Sequence, residues 1–94
     1  MKTLNIEYRG RGVFSAFVNR SFTTERGDTG TVFGAVRVKR EGPNEFRIDR
    51  IESIGGAWLP WEPITDEVFA TLEKAKDAIC RWAKTNHVEG APYA

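Results

Sequence analysis

Two hydrophobic periods divide this chain, and the switch between them constrains the fold more than any other feature. From Thr3 to Ile48 the apolar residues recur largely at every second position, until Ile51 and Ile54 break phase in the manner of a bulge or a strand's end; beyond Thr65 they recur at every third or fourth. A period of two marks strands with one buried face, and a period of 3.6 marks an amphipathic helix. Strands first and a helix last argue for α+β over a parallel α/β fold.

The first strand is read at residues 3–9, where Leu4, Ile6 and Tyr8 face one way and Thr3, Asn5, Glu7 and Arg9 the other. Arg9-Gly10-Arg11-Gly12 then supplies a tight turn. A second strand runs from Val13 to Phe22, with Phe14, Ala16 and Val18 inward and Phe17 outward. A polar loop follows over residues 23–30. The third strand, Thr31–Lys39, turns Val32, Val36 and Val38 inward and Phe33, Ala35, Arg37 and Lys39 outward. Glu41-Gly42-Pro43-Asn44 makes a turn, and Phe46 and Ile48 carry the alternation into a fourth strand. Gly55-Gly56 punctuates, and the two prolines of Trp58-Leu59-Pro60-Trp61-Glu62-Pro63 forbid a helix there. Thr65 is a good N-cap for a helix whose stripe is Val68, Leu72, Ala75, Ile79, Trp82 and Ala83, flanked by Phe69 and Cys80 at the core edge. The expectation is an α+β domain over residues 1–86: a four-stranded antiparallel meander with one C-terminal helix packed on one face (ββββα). Residues 87–94 are expected as a tail.

Composition narrows function by exclusion. No apolar run is long enough to span a bilayer, and residues 1–5 lack the apolar stretch of a secretory signal, so a cytoplasmic setting is expected. One cysteine, Cys80, cannot form an internal disulfide, and one histidine, His87, cannot build a conventional metal site with it. Phosphate loops and dinucleotide fingerprints are missing. No catalytic, cofactor-binding or metal-binding residue is assigned, and the chain is read as a non-enzyme. Fourteen Lys and Arg against thirteen Asp and Glu remove the strong charge argument for nucleic acid.

The residues with functional promise lie on the outward face of the sheet. Arg9, Phe17, Phe33, Arg37, Lys39 and Arg47 interleave rings with cations, a composition that suits single-stranded nucleic acid. Glu7, Glu45 and Asp49 share that face and nearly balance its charge, which favours contact with a protein. Trp58 and Trp61, stiffened by Pro60 and Pro63, either fold over the open end of the core or make a rigid anchor, for which Trp61 is the candidate. A symmetric homodimer would hide the two phenylalanines.

Phe69-Ala70-Thr71-Leu72-Glu73-Lys74-Ala75-Lys76 resembles a segment found near the end of many small phage and mobile-element proteins, and that resemblance places the helix start at Thr71. The size and the sheet-plus-helix plan are similar to those of anti-CRISPR inhibitors, which bind and block host effector complexes. The resemblance implies a non-catalytic inhibitor in a bacterial cytoplasm, with a host protein or ribonucleoprotein complex as partner. The ββββα order also resembles single-stranded-DNA-binding transcriptional coactivators, which implies the alternative of a dimeric nucleic-acid module.

Overall fold

A computed structural model describes residues 4–91. Its frame is three long antiparallel strands: β2 (Val13–Thr23), β3 (Thr29–Gly42) and β4 (Glu45–Ile54). A short β1 (Glu7–Gly10) precedes them, and β5 (Ala57–Trp58) and β6 (Glu62–Pro63) follow. The helix α1 (Leu72–Thr85) and a last strand, β7 (Val88–Gly90), complete the chain. The order β1-β2-β3-β4-β5 is a meander, as the sequence predicts. The strand count is a correction, because three short strands join the expected four.

The short strands occupy the edges of the long ones. β1 pairs with Val13–Ser15 of β2, and β7 pairs with Val18–Arg20 of the same strand. The segment expected as a tail therefore contributes a strand, locked at its ends by Ser21 N–H donating to the His87 carbonyl and Ala91 N–H to that of Phe17. On the other side, residues 57–69 run back along β4 as a broken strand. β5 pairs with Ser53 and Ile54, β6 with Asp49 and Arg50, and Phe69 bridges Phe46. Leu59 and Ile64 donate to the carbonyls of Glu52 and Ile48 between these pairs. Pro60 and Pro63 carry no N–H, which confines such a segment to an edge and breaks its ladder.

Gly55 and Gly56 both have positive φ, 60° and 83°, and join β4 to β5 as a two-residue hairpin loop. Primed turns require that geometry at both central residues, and glycine adopts it without steric cost. Alternation then sorts the two faces as expected. Ala16, Val18, Val36, Val38, Phe46 and Ile48 are buried toward the helix, against Ala75, Ile79 and Ala83. Val36, Val38, Ile48 and Ile79 are fully enclosed, each contributing about 1.5–3 kcal/mol of burial.

The helix begins later than the Thr65 cap predicts. Thr71 is extended and its Oγ1 accepts from Lys74 N–H, so Thr71 is the N-cap. Phe69 at the bridge to Phe46 holds this segment extended, which leaves Val68 exposed instead of in the buried stripe. Cys80, beside Ile79 on α1, is exposed and not a small hydrophobe of the core edge. Tyr8 shares the inward parity of Leu4 and Ile6 but is itself exposed, leaning on Phe14 with ring centroids 5.1 Å apart.

Candidate functional site: the open face of the sheet

Strand register places the predicted residues on the face away from α1. Ser15, Arg37 and Asp49 form one cross-strand row, Phe17, Ala35 and Ile51 the next, and Asn19, Phe33, Ser53 and Trp58 the third. Lys39 pairs with Arg47 in the row before these. Arg9 joins the same side, its Nε donating to Ser15 Oγ over 3.2 Å. The face is graded along the strands, with cations at one end and rings at the other.

Phe17 and Phe33 stack with centroids 5.5 Å apart and planes 19° off parallel, and Trp58 tilts against Phe33 at 5.7 Å. Ala35 is buried although it lies on the open face, because it is small and sits between Phe17 and Ile51. Arg37 stands where the two halves meet. Its Nε donates to Asp49 Oδ2 at 2.8 Å, and its guanidinium lies 4.1 Å from the centre of the Trp61 ring. Carboxylate and ring together fix an otherwise flexible cation, the ring through its negative face. Trp61 itself remains 36% exposed and Trp58 51% exposed.

Most of the positive charge here is already matched. Arg37 is held by Asp49, Arg47 by Glu41 at 2.6 Å, and Arg9 by Glu7 at 3.6 Å. Lys39 is exposed and has no acidic partner among the described residues. Phosphate binding draws on unpaired cations and the counterions they release, so this pairing weakens the case for a nucleic-acid platform.

Two arrangements are not legible in the sequence alone. Trp58, which the sequence offers with Trp61 as core cover or anchor, joins the aromatic run; its signal is the Gly55-Gly56 loop, which sets Trp58 opposite Ser53 and hence on the parity of Phe33. The other is an ion-pair network on the helix side. Arg20 donates to both carboxylate oxygens of Glu52, one bond measuring 3.1 Å, and Arg50 approaches Glu52 at 3.9 Å and Glu62 at 3.5 Å. The hydrogen bonds from Arg20 hold the Glu52 carboxyl below its usual range, against the opposing effect of burial, and raise Arg20 in return. Arg20 and Glu52 are far apart in sequence and meet only through β3, which no local pattern reveals.

Among the described residues no group of three or more His, Cys, Asp or Glu could hold a metal ion, and no helix is long and apolar enough to cross a membrane. Compared with family models, curated proteins and solved structures, the chain matches none.

Proposed function

We propose that this chain is a non-catalytic binding protein of the contact-inhibitor kind, which occupies a surface on a larger host protein or ribonucleoprotein complex through the open face of its sheet. The observation that carries this reading is the Trp61–Arg37–Asp49 clamp. Tryptophan and arginine dominate interface hot spots, and here both are ordered before any partner arrives. Ordering in advance lowers the side-chain entropy lost on binding, which is where a small interface gains affinity. Trp58, Phe33 and Phe17 extend the contact on one side, and Lys39, Arg47 and Arg9 form a polar rim on the other. An apolar patch with a charged border on one side suits a protein surface.

The test is affinity capture from a bacterial lysate in nuclease-treated and untreated arms, with the wild type and Trp61→Ala in parallel. A retained protein that survives nuclease, and whose affinity falls about thirtyfold on truncation of Trp61, supports the reading. Retention that disappears with nuclease would favour the alternative, a single-stranded nucleic-acid module on the same face. That alternative makes its own prediction: retention of a mixed-sequence single strand on a filter at low salt, falling steeply as salt rises.

A further inference from the structure

We propose that two copies of this chain pair edge to edge through Thr29–Thr31 of β3, forming one continuous sheet across a two-fold axis at Gly30. The inference comes from where the backbone hydrogen bonds of the longest strand go. In an antiparallel ladder a residue's N–H and C=O point to the same side, and successive residues alternate sides. Ser21 N–H donates to the His87 carbonyl, so Ser21 faces β7 and its pair with Thr31 is not hydrogen-bonded. Thr31 therefore turns its N–H and C=O away from β2, and so does Thr29, two residues earlier. On that side β4 makes its last pair with β3 at Phe33–Ser53, and after Ile54 it turns through Gly55-Gly56 into β5. Four backbone groups thus stand open on an edge, among the described residues, at two threonines that are themselves exposed.

Other long edges of the sheet are closed, β2 by β1 and β7 and β4 by the proline-broken segment. Unprotected edges are usually blunted by proline or charge. Residues 29–36, Thr-Gly-Thr-Val-Phe-Gly-Ala-Val, contain neither. The edge is also self-complementary. An axis through Gly30 sets Thr29 of one copy opposite Thr31 of the other, and each such pair exchanges two hydrogen bonds, four in all. Thr–Thr neighbours across strands are favourable, and Phe22 covers Gly30 on the helix side, 2.5 Å from where a side chain would begin. The axis is normal to the sheet, so both open faces point the same way, and a partner offering two sites would be gripped twice. The edge pairing does not depend on the function proposed above.

Sedimentation across a concentration series, with amide hydrogen exchange on the same samples, tests the pairing. The expected result is a reversible dimer in which Thr29 and Thr31 amides gain protection as dimer accumulates. Val32, whose amide faces β2, should be equally protected throughout. Thr31→Pro removes an outward N–H without touching the β2–β3 ladder and should weaken the dimer about thirtyfold or more. Thr29→Pro, at the first position of the strand where proline is tolerated, should do the same if Thr31→Pro misfolds. A monomer at every concentration would overturn the proposal. So would a dimer indifferent to both prolines, or one dispersed by Trp58→Ala instead, which would place the contact on the open face.

Discussion

Gly34→Ala adds a single methyl group to the middle of β3 and should cost more than most core truncations of similar size. A Cβ at Gly34 would lie on the carbonyl oxygen of Ile51, far inside van der Waals contact, and 3.4 Å from Glu52 Cα. Both obstacles are backbone, so no side chain can swing aside; β3 and β4 must separate. Forcing a methyl into a packed interior costs about 1–3 kcal/mol. Alanine returns about 0.4–1 kcal/mol by restricting the unfolded chain, because Gly34 itself does not need positive φ. The net expectation is a loss of about 1–2 kcal/mol, and for a domain this size each kcal/mol lowers the melting temperature by roughly 4–8 °C. Urea titration followed by far-UV circular dichroism should show an earlier midpoint at unchanged slope, and a thermal scan should agree. A variant as stable as the wild type would mean that β3 and β4 do not approach closely here, and the register behind the open face would be wrong.

Other perturbations address separate parts of the structure. Ile79→Ala, at a fully enclosed position on α1, should lose about 2–5 kcal/mol by urea denaturation. Glu52→Gln tests the network with Arg20: the folded Glu52 pKa lies below the unfolded one, so its contribution is fully present above about pH 4.3 and fades as pH falls through the lower folded value. The wild type should therefore lose stability on acidification faster than Glu52→Gln, and parallel stability–pH curves would remove the ion pair from the energetics. His87 follows the helix at φ 57°, in the left-handed region that glycine prefers at this position, so His87→Gly should leave the melting temperature equal or slightly raised. A large fall would show that the imidazole holds structure.

How far the sequence foretells the fold depends on the range of the cause. Alternation at Phe14-Ala16-Val18 and Val36-Val38 assigns the two faces, because each residue's side of the sheet follows from its neighbours alone. For the same reason parity alone gathers Arg9, Phe17, Phe33, Arg37, Lys39 and Arg47 on one face, where the strand register puts them. The helix start is harder to place, since Thr65 and Thr71 are equally good caps by local chemistry. The long-range bridge between Phe46 and Phe69 decides between them. β6 and β7 are two and three residues long, too short to show a period, and exist because the edges of β4 and β2 offer unpaired backbone. The clamp on Arg37 likewise needs Trp61 to be carried back across β4, which follows from the hairpin at Gly55-Gly56 and from no feature of Trp61 itself.

The proposal that the open face is the binding surface is tested most directly by placing one bulky maleimide adduct on either side of the molecule. Cys80 is exposed on α1, which packs on the side of the sheet away from the open face, and can be modified in the native chain. Lys39, exposed among the open-face cations, can be replaced by cysteine in a Cys80→Ser background to carry the same group. The adduct at Cys80 should leave capture of the partner unchanged, and the adduct at position 39 should abolish it, with circular dichroism confirming both folds. Binding that survives modification at position 39 and is lost with modification at Cys80 would put the partner on the helix side and contradict the proposed function.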